Sequence, residues 1–202
     1  MIADIPLLPI LAKLAEGLLA TLALSLLAFV LGGATGLLVL FARVGRSLNL
    51  RRLAKAYIQA FQNTPLLMQM FIVFFGSSMA GLDISPWTAA AIGLTLYTSA
   101  YLAEVWRGCV ESIPRGQWEA SSSLAMGYLQ QMRHVVLPQA LRLSIAPTVG
   151  LSVQIIKGTA VASIIGFSEL TKLGSMLANA TFQPFLIYGL VGFAGKDFDM
   201  PI

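Results

Sequence analysis

The sequence predicts an all-α integral membrane domain, and three observations support this fold class. The chain has 202 residues, of which 57% are hydrophobic and 11% are charged, with a mean hydropathy of +0.79. Soluble domains carry about 25% charged residues, so this chain has too few to cover a water-facing surface. Uncharged runs such as 18–41 are long enough to cross a hydrocarbon core of about 30 Å. The basic residues, finally, cluster between those runs.

The positions of the basic residues predict the topology. Of 13 Lys and Arg residues, five lie in 43–55 and four in 107–142. Because cationic loops stay on the cytoplasmic side, this order predicts an N-terminus outside and loops in, out, in, out. The net charge of +4 could also suit a nucleic-acid partner, but its division between apolar runs argues for membrane lipid instead. We therefore expect a multi-pass membrane protein that binds no nucleic acid.

The apolar runs predict a single domain of residues 1–195 followed by an atypical tail, 196–202. The first 17 residues lack the basic start and cleavage site of a signal peptide, so we expect a short amphipathic lead-in. Gly32 and Gly36 share one helical face and favour close helix packing, although such pairs are common in membrane helices. The predicted spans lie at about 18–42, 65–80, 86–106, 143–167 and 182–195.

The longest polar passage, 116–142, separates two apolar spans. It predicts a helix, a break at Ala125-Met126-Gly127, and a second helix that Leu137–Pro138 ends or kinks. Glu119, Ala120 and Ser121 give the first helix a small, smooth face. A polar helical pair between spans has little to bury by itself. We interpret it as a docking surface for another protein.

No catalytic or metal chemistry is indicated by the sequence. A single cysteine, Cys109, excludes an internal disulfide, and a single histidine, His134, lies beside Arg133 in the polar passage. Metal sites need several converging ligands, so we interpret His134 as a solvated residue. No glycine-rich phosphate loop precedes a Lys-Ser or Lys-Thr pair. If ATP drives this protein, another polypeptide hydrolyses it.

The polar passage resembles the EAA loop of ABC-importer permeases. The matching positions are Glu119-Ala120-Ser121, Ala125 where the family has Gly, Val135 where it has Ile, and Leu137-Pro138. Other motifs are similar to the polar amino-acid branch of that family, the histidine, glutamine, arginine and glutamate type. They are Asn63-Thr64-Pro65-Leu66-Leu67, Tyr101-Leu102-Ala103-Glu104, Arg107-Gly108, Glu111 to Gln117, Pro138 to Arg142 and Ile156-Lys157-Gly158-Thr159. The likeness extends from about Gly17 to about Tyr188.

The resemblance implies a type I ABC-importer transmembrane domain and the permease subunit of an ATP-driven importer of polar amino acids in the bacterial inner membrane. It implies ATP-binding cassette subunits that carry the ATP, an extracytoplasmic amino-acid-binding protein, and a second permease subunit, identical or a sister. It leaves open which pairing occurs and which amino acid is carried. The coupling residues that it implies are Glu119, Ala120, Ser121, Gly127, Leu137 and Pro138.

The fifth span is where the chain departs from the family. Residues 182–195 give roughly 21 Å of helix, which is too short to cross the core. The family normally continues with a longer apolar run and a basic tail, so the fifth helix is interpreted as truncated. This motivates an alternative, a transport-inactive interaction or scaffold subunit that keeps the permease fold.

Lys157 is the first candidate for the substrate path. It lies near the middle of the fourth span, where a charge costs a few kcal/mol or more unless it is solvated or paired. It could contact a substrate carboxylate or a gating carboxylate, and Gln154, one helical turn before it, could share its face. The alternative is a structural ion pair or snorkelling to the interface.

Other polar residues give further path candidates. Asn63, Thr64 and Gln69 surround a break predicted before Pro65, near the cytoplasmic end of the second span. Irregular backbone in a membrane is tolerated where it lines a cavity, so these residues could line the path or simply fix a helix end. Glu104 could line the inner mouth or pair with Arg107 three residues later.

Overall fold

The computed structural model describes residues 7–45 and 47–196, and among these it contains helices and turns but no strand. The all-α fold class is confirmed. The helices are α1 (Leu7–Val44), α2 (Leu48–Gln62), α3 (Leu66–Met79), α4 (Pro86–Glu111), α5 (Arg115–Ser123), α6 (Tyr128–Gln131), a π-helical turn (Met132–Val136), α7 (Leu137–Gly158), a 3₁₀ segment (Thr159–Ile165), α8 (Leu170–Thr181) and α9 (Pro184–Lys196).

The predicted N-terminal lead-in is part of the first long helix. Helix α1 begins at Leu7 and continues without a break, and Ile10 and Leu14 are buried in a cluster with Leu170 of α8. Gly17 permits this contact, because a Cβ at that position would lie 2.9 Å from the Leu170 Cα. Close packing against α8 extends the helix beyond the predicted span of 18–42.

Helices α1 and α4 form the tightest pairing of the fold. A Cβ added at Gly32 would lie 2.6 Å from the Thr98 Cβ, and one at Gly36 would lie 3.0 Å from the Ser99 carbonyl oxygen. Distances this short leave no room for a methyl group. The predicted packing role of the two glycines is confirmed.

The first basic segment and the break before Pro65 differ from the prediction. The residues expected to form a loop up to Lys55 lie largely on α2, an amphipathic helix that buries Ala54 and Ile58. The Tyr57 hydroxyl lies 2.6 Å from the Ser99 Oγ, near the midpoint of α4. The α2–α3 break therefore lies beside the middle of α4 and not near the end of a span.

The helix that follows the polar passage also begins earlier than expected. Helical backbone runs from Tyr128 to Ile165 without interruption, so Leu137–Pro138 does not end it. The proline has no N–H and its ring crowds the carbonyl of the preceding turn. The π-helical turn lies directly before it, and there the Leu137 N–H donates to the Met132 carbonyl. The extra residue in this turn accommodates the proline within a continuous helix.

The C-terminal helices α8 and α9 pack against each other and against α1. Phe182 between them has a φ of +55°, and a Cβ at Gly174 would lie 2.7 Å from the Val191 Cγ2. Helix α9 has 13 residues, or about 20 Å. The predicted atypical tail lies outside the described residues, apart from the backbone of Lys196.

Two helical segments of the described chain, Leu7–Val44 and Tyr128–Ile165, are long and apolar enough to cross a membrane by length and composition. Helices α3 and α9 are shorter apolar helices. The charged end of α4 carries the ion pairs of Arg107 with Glu104 and Glu111.

Candidate coupling surface and translocation path

Helix α5 presents two of the predicted coupling residues to the outside and turns the third inward. Glu119 and Ala120 are exposed, whereas Ser121 is buried and its hydroxyl donates to the Trp118 carbonyl at 2.9 Å. The Ser123 hydroxyl donates to the Glu119 carbonyl at 3.0 Å. The serine hydroxyls thus bond to carbonyls of their own helix, and Glu119 and Ala120 place a carboxylate beside a methyl group on the exposed face.

Aromatic contacts tie this helix to the rest of the molecule. The rings of Trp118 and Tyr128 are stacked with centroids 6.4 Å apart. The Tyr128 hydroxyl donates to the carbonyl of Val44 at 3.1 Å, at the last residue of α1. A force applied to α5 would therefore reach both α1 and the long helix that starts at Tyr128.

The turn between α5 and α6 lies at the predicted break, and its left-handed residue is Ala125. Ala125 has a φ of +56°, a left-handed conformation that favours glycine. Gly127 has a φ of −68° and precedes α6, where its N–H donates to the Gln130 Oε1 at 3.0 Å. The left-handed backbone of this turn is therefore at Ala125, where the family has glycine, and not at Gly127.

Leu137 and Pro138 open α7 after the π-helical turn. Leu137 is half-buried and Pro138 is exposed. The Gln139 side chain donates to the Val135 carbonyl at 2.8 Å and so satisfies an acceptor of the irregular turn. The pair thus lies where the polar passage continues into the long helix.

Lys157 and Gln154 are both exposed on α7, one helical turn apart. The neighbouring Gly158 faces inward, where an added Cβ would lie 3.2 Å from the Leu66 Cδ2 and 3.6 Å from the Leu94 Cδ2. Leu66 is the first residue of α3. The structure therefore brings the lysine segment beside the α2–α3 break.

The three polar residues at that break have different surroundings. Asn63 is exposed and Thr64 is half-buried, with its hydroxyl donating to the Ala60 carbonyl at 2.7 Å. Gln69 is buried, and its Nε2 donates to the carbonyls of Phe61 and Thr64 at 2.7 and 2.8 Å. Gln69 therefore fixes the end of a helix through these two bonds. Asn63 is exposed and could line a path.

Glu104 forms an ion pair with Arg107, at 2.5 Å between Oε1 and Nη2 and 2.9 Å between Oε2 and Nε. The same guanidinium also contacts Glu111. This bidentate geometry is the strong form of an arginine–carboxylate pair. The neighbouring Trp106 donates from Nε1 to the Thr148 Oγ1 at 2.9 Å and connects α4 to α7.

Sequence reasoning missed Glu169, a fully buried carboxylate. It precedes α8 and accepts hydrogen bonds from the Thr171 and Lys172 amides at 2.9 and 2.7 Å. An anion at a helix N-terminus is stabilised by the free N–H groups and the helix dipole. Glutamate is an uncommon residue at this position, so the sequence carried only a weak signal. Among the described residues, no group of three or more His, Cys, Asp or Glu side chains could hold a metal ion.

The arrangement defines a class of protein: a helical membrane component with an anchored, exposed helix on one surface and polar residues beside a broken helix in its interior. The chain belongs to the family of binding-protein-dependent transport system inner membrane components, whose model matches residues 32–194. It is thus a transmembrane permease subunit of an importer, and ATP hydrolysis in this family is carried by separate ATP-binding subunits.

Individual relatives agree with this assignment. The chain is 35% identical to the probable amino-acid ABC transporter permease protein YckA of Bacillus subtilis, over 86% of this chain and 76% of that protein. It is 34% identical to the glutamine transport system permease protein GlnP of Escherichia coli, over 91% and 84% of the two chains. A solved amino acid ABC transporter with histidines superimposes with a TM-score of 0.88 at 28% identity, covering 95% and 92%. The type I importer fold and the resemblance to amino-acid permeases are both confirmed.

Proposed function

We propose that this chain is the permease subunit of a polar amino-acid importer and that an ATP-binding subunit moves it through α5. The observation that carries the proposal is the unbroken helical path from Tyr128 to Ile165. Glu119 and Ala120 are exposed on α5, which precedes that helix and contacts it through Trp118 and Tyr128, and Lys157 lies near the helix's other end. At 1.5 Å per residue, Tyr128 and Lys157 are separated by about 40 Å of helix. A displacement of Tyr128 would therefore shift Lys157 through the helix that joins them.

The exposed face of α5 suits a groove on a partner protein. The methyl group of Ala120 permits close approach, and the Glu119 carboxylate can pair with a cationic group of the partner. Ser121, Gly127, Leu137 and Pro138 would contribute by holding this surface in place rather than by touching the partner. Ala125 in its left-handed conformation would keep the turn between α5 and α6 stiff.

The path is proposed to run along the exposed side of α7 beside the α2–α3 break. Lys157 offers a cation for a substrate carboxylate, and Gln154, Asn63 and Thr64 offer neutral donors and acceptors nearby. Gln69 and Glu104 would support the path indirectly, because both are engaged within the chain. The relatives named for amino acids, including glutamine, suggest a polar amino acid as substrate.

The assembly is proposed to contain two permease subunits, two ATP-binding subunits and an extracytoplasmic amino-acid-binding protein. ATP would bind only to the partner subunits. The basic ends of α1 and α2 would lie with α5 on the cytoplasmic side, which orients the N-terminus to the outside. Closure of the ATP-binding subunits would then push α5 and alternate the access to the path.

The test is ATPase activity in proteoliposomes that contain this chain, its ATP-binding subunit and its binding protein. Glutamine, histidine, arginine, glutamate and cystine would be added in turn. We expect one or more of them to stimulate ATP turnover and to accumulate in the compartment on the far side from the binding protein. An intact assembly that neither responds nor transports would favour the transport-inactive scaffold.

The path proposal is tested by Lys157→Met and Lys157→Arg in the same vesicles. We expect the methionine variant to lose uptake while the complex still assembles, and the arginine variant to keep a measurable part of it. Lys13→Met is the matched control, since Lys13 is an exposed lysine near the start of α1 that pairs with Glu16. Equal uptake by Lys157→Met and the native chain would refute a role in the path.

A further inference from the structure

A basic cavity of about 350 Å³ lies between the end of α1, the start of α2, the end of α4 and the α5–α6 pair. Arg43, Arg51 and Arg115 come from three different helices or their ends and line the same space. Their convergence does not follow from the coupling face of α5, where Glu119 and Ala120 are exposed.

The part of the cavity lining that the structure describes carries more positive than negative charge, with three arginines and one carboxylate. The Nε atom of Arg43 is buried and has no hydrogen-bond partner among the described residues. Arg51 and Arg115 are exposed and form no ion pair within residues 7–45 and 47–195. The acidic residue among the described lining is Glu111, which is already bound to Arg107. A buried donor without an acceptor is costly, so the arrangement calls for an anion from outside the chain.

An apolar groove of about 760 Å³ adjoins this cavity, and Val110 lines both. The groove runs between α1, α4 and α7, and its lining includes the exposed side chains of Phe41, Leu141 and Ile145 together with Trp106. In a membrane protein such a groove is accessible to acyl chains. A basic pocket between helices at the membrane surface is the usual recognition element for an anionic lipid headgroup.

We propose that the cavity and the groove together bind one anionic phospholipid. Its phosphate lies among the guanidinium groups of Arg43, Arg51 and Arg115, and an acyl chain occupies the groove beside Trp106. Arginine suits this role because its planar fork binds phosphate oxygens bidentately. The lipid would lie next to the contact between Tyr128 and the end of α1, so it would hold α5 against the membrane surface. The proposal does not depend on which substrate is carried.

The experiment is tryptophan quenching by brominated lipid in the purified full-length chain in detergent. A Trp87→Phe background leaves Trp106 in the groove and Trp118 at the cavity as reporters. We expect saturable quenching by phosphatidylglycerol with brominated acyl chains, at least tenfold tighter than by the matching phosphatidylcholine. Adding Trp106→Phe should remove most of the signal, because that ring lies in the groove.

A matched pair of variants on α2 isolates the cavity. One cation near a headgroup is worth about a factor of five in affinity, so Arg51→Gln should weaken phosphatidylglycerol binding about fivefold. Arg52→Gln removes the adjacent charge, which does not line the cavity, and should leave the binding unchanged. The triple change of Arg43, Arg51 and Arg115 to Gln should abolish the preference for the anionic lipid. If that triple variant fails to fold, the comparison of Arg51→Gln with Arg52→Gln still tests whether the cavity binds the headgroup.

Four results would overturn the proposal. Equal affinity for the two lipids, or equal loss in Arg51→Gln and Arg52→Gln, would mean that the cavity does not recognise the headgroup. Displacement of the lipid by submillimolar inorganic phosphate would assign the arginines to a soluble anion. Loss of the phosphatidylglycerol preference on adding the ATP-binding subunit would assign them to carboxylates of that protein.

Discussion

The α1–α4 interface and helix α5 both depend on small residues, but they use them in opposite ways. In the interface, Gly32 and Gly36 are buried against Thr98 and Ser99, at distances that exclude a methyl group. On α5, Ala120 and its neighbours stay exposed, and the buried serine satisfies its hydroxyl within its own helix. In the α1–α4 interface, the small residues of one helix are covered by the other helix of the same chain. Helix α5 has a smooth face that the chain does not cover.

The α1–α4 interface should therefore determine the stability of the fold, and α5 should determine coupling to a partner. Within the interface, a change of one methyl group disturbs packing that is as dense as a crystal. On the exposed face of α5, a change of side chain mainly alters what a partner would meet. Substitutions in the interface should therefore change stability, whereas substitutions on the exposed face of α5 should change partner binding.

The largest expected effect is that of Glu119→Lys on α5. Reversing the charge of a residue that pairs with a partner cation should cost about 2–5 kcal/mol of association free energy. We expect the ATP-binding subunit to be lost from co-purification while the thermal stability of the permease is unchanged. Glu16→Lys, at an exposed site on α1, is the control with the same change in charge. Retention of the ATP-binding subunit and of transport by Glu119→Lys would contradict the docking role.

Gly32→Ala should act in the opposite way, on stability first. The new Cβ would lie 2.6 Å from the Thr98 Cβ, so the helices must separate, at a cost of about 1–3 kcal/mol. Gly33→Ala is the matched control, because its Cβ would have its nearest neighbours at 3.9 Å. It should be neutral or stabilising by up to about 1 kcal/mol, since alanine favours helix. Thermal unfolding in detergent measures both, and equal melting temperatures would disprove the tight contact.

At the α2–α3 break, Gln69→Leu should likewise lower stability, because Gln69 is engaged within the chain. It removes the donor to the Phe61 and Thr64 carbonyls, leaving two partly buried acceptors unpaired, at a cost of about 1–3 kcal/mol. Asn63→Ala changes an exposed residue and should leave the melting temperature unaltered. If Gln69→Leu instead lowered uptake at unchanged stability, Gln69 would line the path and would not serve to fix a helix end.

The sequence predicted features that depend on local residue chemistry. The break at Pro65, the helix–break–helix of the polar passage and the packing of Gly32 all follow from the properties of proline and glycine. Features that depend on neighbouring helices were missed or misplaced. The depth of the α2–α3 break is set by the contact of Tyr57 with Ser99 on α4, and the early start of α1 by its contact with Leu170.

The candidate site shows the same division. The exposure of Glu119 and its smooth surroundings could be predicted from the spacing of small residues. The continuity of the helix through Pro138 could not, because one π-helical turn absorbs a residue that normally ends a helix. The buried Glu169 and the convergence of Arg43 with Arg115 also require the tertiary fold, since these residues lie far apart in the chain.

The smallest expected effect is that of exchanging alanine for glycine in α5 and in the turn that follows it. The comparison of the two sites shows whether the backbone at Ala125 is strained. Alanine in the left-handed conformation at position 125 costs about 1 kcal/mol relative to glycine. Ala125→Gly should therefore stabilise the α5–α6 pair by about 0.5–1 kcal/mol and slow amide hydrogen exchange in α5 by a few-fold. Ala120→Gly, in the interior of α5, should destabilise the helix by about 1 kcal/mol and speed the exchange. The two substitutions are chemically identical and differ only in backbone conformation. If both accelerated exchange, Ala125 would carry no strain and the stiff turn proposed for coupling would lose its physical basis.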